Sequence, residues 1–225
     1  MEAAVKSEWV EWHEGYAEGT PLARRLSIVQ DSIHNALDGC PRGTIHVISM
    51  CAGDGRDLLG VLPAHARKDD VRARLVELDP ELAERARQRA AEVSPAIEVV
   101  TGDASLTTAY AGAVPANILL VCGVFGNLTD DDIRHTVGHL PSLCAPDATV
   151  IWTRGTFAPD LTPSIRGWFT DAGFTELDFI AIPGTTTGVG ANRLASPPQP
   201  FEPGVRLFTF LPMERRPSAR GAGVR

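Results

Sequence analysis

The chain has 225 residues, 44% hydrophobic and 22% charged, a near-average composition that excludes a collagen-like chain, wholesale disorder and a disulfide scaffold. Its net charge of −7 is uneven: Arg215, Arg216, Arg220 and Arg225 face only Glu214 in the last thirteen residues, a local +3 that leaves −10 for residues 1–212. An acidic body repels a phosphate backbone, so no nucleic-acid partner is expected, and no run of ~18 apolar residues exists to span a membrane. Glu8, Glu11 and Glu14 lie among the N-terminal aromatics, which a signal peptide does not tolerate, so a cytoplasmic protein is expected. The four cysteines, at positions 40, 51, 122 and 144, form no close pair and read as reduced thiols.

In chain order, Trp9, Trp12, His13 and Tyr16 recur at helical spacing and share one face of a first helix. Thr20-Pro21 supplies an N-cap and first-turn proline for a second helix, whose stripe is Leu22, Leu26, Val29, Ile33 and Leu37, with Gly39 as its stop. These two helices make an N-terminal cap over residues 1–43. From Thr44 strands alternate with helices. Strands are predicted at Ile45–Met50, Ala73–Leu78, Ile97–Thr101, Ile118–Val121 and Thr149–Thr153. Helices are predicted near Asp57–Leu62, Pro80–Ala91, Asp130–Leu143 and Pro163–Ala172, with Thr129 and Asp132 as a capping box. This alternation implies a parallel sheet with right-handed crossovers, an α/β fold. A last strand pair is predicted at Thr175–Ile182 and Val205–Leu211, joined by a loop holding Pro183, Pro197, Pro198, Pro200, Pro203 and Arg193. Residues 213–225 read as a flexible basic tail.

Open α/β sheets bind ligands at the carboxyl ends of their strands. After the first strand comes Cys51-Ala52-Gly53-Asp54-Gly55-Arg56-Asp57, whose glycines let backbone approach a ligand closely. Leu58 stands where a dinucleotide fingerprint wants a third glycine, which disfavours a nicotinamide cofactor. The second strand ends Glu77-Leu78-Asp79-Pro80. Asp79 reads as a helix N-cap, and Glu77 can accept from both hydroxyls of a ribose. The third strand ends Gly102-Asp103-Ala104, where a carboxylate can accept from an exocyclic adenine amine.

With these motifs the chain resembles the class I S-adenosylmethionine-dependent methyltransferases over roughly residues 44–212. The resemblance implies a Rossmann-like, mostly parallel seven-stranded sheet with helices on both faces and an antiparallel last strand. It implies S-adenosylmethionine as cofactor, with Gly53 and Gly55 beside its methionine portion, Glu77 at the ribose and Asp103 at the adenine. Cys51, Ala52, Leu78, Gly102, Ala104, Cys122 and Gly123 complete that expected site. The family usually has an acid at the position of Ser49 and glycine at that of Cys51; Asp54 or Asp57 is the candidate to replace the acid at the donor's ammonium.

The fourth strand ends Cys122-Gly123-Val124-Phe125-Gly126-Asn127, in a segment that lies beside the transferred methyl in that family. It lacks both the Asn/Asp-Pro-Pro-Tyr/Phe signature of base and glutamine methylation and the strand-end aspartate of metal-dependent catechol-type enzymes. A small-molecule acceptor and no catalytic metal are therefore expected. Asn127 reads equally as a ligand contact or a loop cap. His13 is the candidate base, with packing beside Trp9 and Trp12 as its alternative, and Tyr16 is a second catalytic candidate. Trp12, Arg25, Phe125, Asn127 and Arg154 are the candidate acceptor contacts. The rivals are a nicotinamide-dependent oxidoreductase and a non-catalytic protein retaining the donor; a homodimer is allowed.

Overall fold

The structure, a computed structural model, describes residues 15–17, 19–156, 159–183 and 185–212. Trp9, Trp12, His13 and the tail 213–225 lie outside the described residues. Helix α1 (Pro21–Gly39) begins where the sequence places it: Thr20 caps it, its hydroxyl accepting from Ala23 N–H at 3.1 Å. Val29, Ile33 and Leu37 of its stripe are buried; Leu22 and Leu26 are half-buried.

The remaining elements run β1 (Ile45–Met50), α2 (Arg56–Leu59), β2 (Val71–Glu77), α3 (Pro80–Val93), β3 (Ile97–Thr101) and β4 (Ala116–Val121). They continue with α4 (Asp130–His139), β5 (Cys144–Gly155), α5 (Thr162–Asp171), β6 (Phe174–Ala181) and β7 (Thr187–Leu194). The sheet order is β3-β2-β1-β4-β5-β7-β6, with β7 antiparallel to both neighbours and the other pairings parallel. Two apolar clusters, one on each face, make the core. Strands covered on both faces read as continuous apolar runs, which is why β1 and β4 are plain in the sequence.

The last strand corrects the sequence reading. The antiparallel strand is Thr187–Leu194, and Arg193 lies on it rather than in a loop. It contains Gly188 and Gly190 and reads poorly as a strand. Those glycines make room for bulky neighbours: a Cβ on Gly190 would lie 2.3 Å from Trp152, and one on Gly188 2.5 Å from Phe179. The predicted strand Val205–Leu211 instead crosses beside the β3–β4 connection. Leu207 N–H donates to Ser105 C=O at 2.7 Å, and Thr107 N–H to Val205 C=O at 3.0 Å. Leu207 and Phe208 are both buried, so consecutive side chains serve the core there, without the alternation of a strand.

Two predicted helices are shorter than expected. Gly60 ends α2 against Gln30, and Pro141, which cannot donate an N–H, ends the run after α4 in a 3-10 turn (Leu140–Ser142). The Thr129–Asp132 cap is formed, Asp132 N–H donating to the Thr129 hydroxyl at 3.1 Å.

One side chain ties α1 to the sheet. The Arg67 guanidinium donates to the carbonyls of Leu37 (3.3 Å), Cys40 (2.6 Å), Pro41 (2.8 Å) and Gly43 (3.1 Å), and its Nε to Asp70 (2.9 Å). It satisfies orphan carbonyls at the end of α1 and its exit turn. Arg67→Ala is expected to cost about 3 kcal/mol, because charged hydrogen bonds contribute ~1.5–3 kcal/mol each and no other cation replaces them. Denaturant unfolding reads this as a lower midpoint at unchanged slope. A loss under about 1 kcal/mol would mean water serves those carbonyls equally well.

Candidate functional site

The strand registers place four strand ends side by side. Met50 is level with Val76, Glu77 with Thr101, Ser49 with Leu120, and Val121 with Trp152. The order of strands reverses between β1 and β4, which opens a crevice beyond their carboxyl ends. The segments after β1, β2, β3 and β4 that the sequence singles out therefore meet at this crevice.

The turn after β1 is unusual in its backbone. Cys51, Gly53 and Gly55 have φ of 52°, 58° and 74°, so three left-handed residues alternate within five positions. The glycines adopt this freely, whereas Cys51 adopts it at a steric cost. Gly55 has no space for a side chain either: a Cβ would lie 2.7 Å from Leu59 and 2.9 Å from Leu75. Burial pushes the Cys51 thiol up, so it stays protonated at neutral pH.

Glu77 is buried and anchors that turn. Gly53 N–H donates to one carboxylate oxygen and Asp79 N–H to the other, each at 2.8 Å. Burial raises its carboxyl above the ordinary value, and the amides of Asp79, Gly53 and Leu78 partly oppose this. An ionised carboxylate has about four lone-pair directions; the Gly53 and Asp79 bonds and the weaker influence of the Leu78 amide leave part of that capacity for a ligand's hydroxyls. Asp79 is the N-cap of α3, accepting from Glu81 N–H (2.9 Å) and Leu82 N–H (3.1 Å). Leu78 between them is 65% exposed, an apolar surface at the strand tip.

Asp103 is partly exposed after β3. Ser105 donates to one oxygen through its amide (2.9 Å) and hydroxyl (2.6 Å), and Arg206 reaches the other at 3.2 Å. Burial works against its ionisation, but the bonds from Ser105 and Arg206 prevail and hold the carboxyl below its ordinary value. Gly102 N–H donates to Glu77 C=O at 2.9 Å and joins the two strand ends; Ala104 is buried behind them.

The two aspartates of the glycine turn have different surroundings. Asp54 is buried and paired with Arg56, whose Nε lies 2.8 Å away, and with Arg89 on α3 at 3.2 Å. Asp57 faces Arg25 and the Cys122 thiol; burial raises its carboxyl and the Arg25 charge opposes the rise. Tyr16 sits over this group. Its hydroxyl accepts from Arg25, and the Arg56 guanidinium lies 4.3 Å from its ring centroid. Burial pushes the phenol up to about 12, so Tyr16 holds its proton at neutral pH.

The remaining candidates brace the β4 end. Gly123 N–H donates to the Thr153 hydroxyl at 2.8 Å, and the Asn127 amide to Gly123 C=O at 2.7 Å. Phe125 is fully buried, 6.0 Å from Trp152 and 6.4 Å from Phe169, and its carbonyl accepts from Arg154 at 2.9 Å. Ala52 N–H donates to Val76 C=O at 3.0 Å, linking the turn to β2. The structure thus brings together Tyr16, Arg25, Asp57 and Cys122 on one side of the turn, and Glu77 and Asp103 on the other. Arg56, Arg89, Ser105 and Arg206 are partners that sequence reasoning missed. Asp54-x-Arg56 and Asp103-x-Ser105 have a local signal, whereas Arg206 comes from 103 positions beyond Asp103.

No protein-family model matches the chain, and no curated protein matches it. Solved structures do. A 1,6-didemethyltoxoflavin-N1-methyltransferase from Burkholderia thailandensis, with bound 1,6-didemethyltoxoflavin and S-adenosylhomocysteine, aligns at TM-score 0.61 and 16% identity, over 87% of this chain and 94% of its own. A magnesium protoporphyrin IX methyltransferase from Synechocystis PCC 6803, with bound S-adenosylmethionine, aligns at 0.59 and 16%, over 85% of this chain and 99% of its own. An O-methyltransferase family protein from Burkholderia thailandensis aligns at 0.57 and 16%, and this chain spans only 57% of its length. The chain has the Rossmann-like fold that these S-adenosylmethionine-dependent methyltransferases share.

Proposed function

We propose that the chain binds S-adenosylmethionine across the ends of β1–β4 and transfers its methyl group to a small-molecule acceptor. The observation that carries this reading is the buried Glu77 carboxylate, joined to Gly53 N–H and retaining acceptor capacity between the glycine turn and Asp103. Glu77 accepts from the ribose hydroxyls, Asp103 from the adenine amine, and Leu78 covers an adenine face. Asp57 takes the donor's ammonium and Arg25 its carboxylate, in place of the acid missing at Ser49. Asp54 is committed to Arg56 and Arg89 and holds the turn instead.

When bound, the donor would supply a methyl group on a sulfonium: an acceptor lone pair would bond to its carbon in line as the carbon–sulfur bond breaks and S-adenosylhomocysteine leaves. The protein's part is orientation and exclusion of water. Tyr16 keeps its proton and positions Arg25. Any base for the acceptor's proton must come from elsewhere, and His13, outside the described residues, keeps that role. Leu58 is buried in the core where a nicotinamide fingerprint has glycine, which weighs against the oxidoreductase reading.

Calorimetric titration with S-adenosylmethionine and S-adenosylhomocysteine, with NAD as control, tests the reading. Micromolar binding of the first two alone is expected; binding of NAD instead overturns it. Asp57→Asn is expected to weaken S-adenosylhomocysteine binding about tenfold, since the lost charge contributes ~1.4 kcal/mol at a partly buried site. Unchanged affinity in that variant removes Asp57 from the ammonium. A mass gain of one methyl on a panel metabolite identifies the acceptor class; donor binding with no transfer across a broad panel favours a non-catalytic protein.

A further inference from the structure

The opposite end of the strands, where the chain enters β1 and β2, carries a second group of side chains. His34 and Asp38 stand one turn apart near the end of α1, and His65 follows the 3-10 turn Leu62–Ala64. His34 Nδ1 lies 3.7 Å from one Asp38 oxygen, and His65 Nε2 lies 3.4 Å from the other. All three ligand atoms fall within 4.8 Å of one another. Donors around a tetrahedral zinc ion, at bond lengths of ~2.0–2.1 Å, stand about 3.4 Å apart.

His34 and Asp38 are exposed, whereas the His65 side chain is only 1% accessible. Its Nε2 is buried, faces the other two groups, and has no hydrogen-bond partner among the described residues. The Asp38 oxygen 3.4 Å away is out of hydrogen-bond alignment, so this buried ring nitrogen is poorly satisfied and open to a ligand. The setting favours a cation. Both helical ligands sit at the negative end of the α1 dipole, and the last turn of α1 has no basic residue. The nearby Arg67 is committed to Asp70 and to four carbonyls.

We propose that His34, Asp38 and His65 bind a divalent transition-metal ion of the zinc class, through two imidazole nitrogens and one carboxylate, with a fourth position open to solvent. The site is remote from the crevice and does not depend on the methyl-transfer reading. Its effect is to join α1, which carries Arg25 toward its other end, to the loop that enters β2.

Binding has a distinctive consequence at His65. Arg67 N–H donates to His65 Nδ1 at 3.1 Å, which puts the neutral ring's proton on Nε2 when no ion is bound. Coordination needs the Nε2 lone pair, so the proton moves to Nδ1 and the hydrogen bond from the Arg67 N–H is given up. Metal ligands usually donate their second N–H to an acceptor, whereas here Nδ1–H would face the Arg67 N–H, so this exchange costs part of the binding energy.

Zinc sulfate titrated into the chelator-treated full chain is expected to bind one to one and to raise the thermal midpoint. His34→Ala and Asp38→Asn change exposed residues outside the core, and each is expected to weaken zinc binding at least tenfold. Nitrogen-detected NMR of the His65 ring should show its proton transferring from Nε2 to Nδ1 on zinc addition. No saturable uptake by the wild type, or zinc affinity unchanged from the wild type in either variant, overturns the proposal. So does an unchanged His65 tautomer at saturating zinc.

Discussion

Glu77→Ala is expected to weaken S-adenosylhomocysteine binding about a hundredfold, close to 3 kcal/mol. The change removes the acceptor for the amides of Gly53 and Asp79 and, in the proposed donor site, for the ribose hydroxyls at once. Hydrogen bonds to a charged acceptor contribute ~1.5–3 kcal/mol each, so losing even two of these accounts for the effect. Glu77→Gln keeps one acceptor oxygen and should fall between, near tenfold. Calorimetry on the three proteins checks this, with thermal unfolding to show that the variants are folded. A dissociation constant for Glu77→Ala within threefold of the wild type would take Glu77 out of the site.

The same carboxyl sets a pH dependence. Burial raises Glu77 above its ordinary value, so the fold holds that proton more readily than the unfolded chain does. Its stability contribution is therefore complete at low pH and is lost as pH rises through the raised value. Donor binding runs the other way in the proposed site, where the ionised form of Glu77 would accept from the ribose. Affinity should fall on acidification, starting at a higher pH than an ordinary carboxylate would give. Asp57, also raised by burial, acts in the same direction.

The second large effect is expected from Gly190→Ala, a loss of about 3 kcal/mol at the upper end of ordinary overpacking. On β7, Gly190 pairs with Trp152 of β5, and an added Cβ would lie 2.3–2.6 Å from three atoms of the indole. The indole cannot yield. It stacks on Phe169 at 5.5 Å and on Phe179 at 5.6 Å, and its N–H donates to Asn192 at 2.8 Å. Removing the bulk on the other side should restore part of the loss, so Trp152→Phe combined with Gly190→Ala is expected to cost less than the two changes summed. A loss below about 1 kcal/mol for Gly190→Ala alone would mean that β7 shifts freely against β5.

Those two positions show where sequence reasoning succeeds and where it stops. Glu77 was legible because a strand tip followed by Asp79-Pro80 is a local pattern, and Asp79 was separable from it as an N-cap. Gly190 was not legible. Glycine lowers strand propensity, and its value here is the room it leaves for an indole 38 residues earlier in the chain, whose N–H is held by Asn192, 40 residues after it. The segment Val205–Leu211 misled for the converse reason. Its apolar residues do enter the core, but its backbone pairs with Ser105 and Thr107.

By itself, the sequence determined the elements whose signals are short-range. Ile45–Met50 and Ile97–Thr101 have the limits that their apolar runs predict, and Thr20 and Thr129 cap the helices they precede. It also placed the glycine turn, Glu77 and Asp103 at successive strand ends, because strand, turn and cap are written within a few residues of one another. The tertiary structure alone decided how charges were shared. It added Arg89 to Asp54, left Asp57 facing Arg25, set Arg206 on Asp103, and gathered His34, Asp38 and His65 beyond the amino ends of β1 and β2. Each of these choices joins groups brought close by packing of the sheet and helices, and the energy that selects a partner depends on distance and burial, which only the folded chain defines.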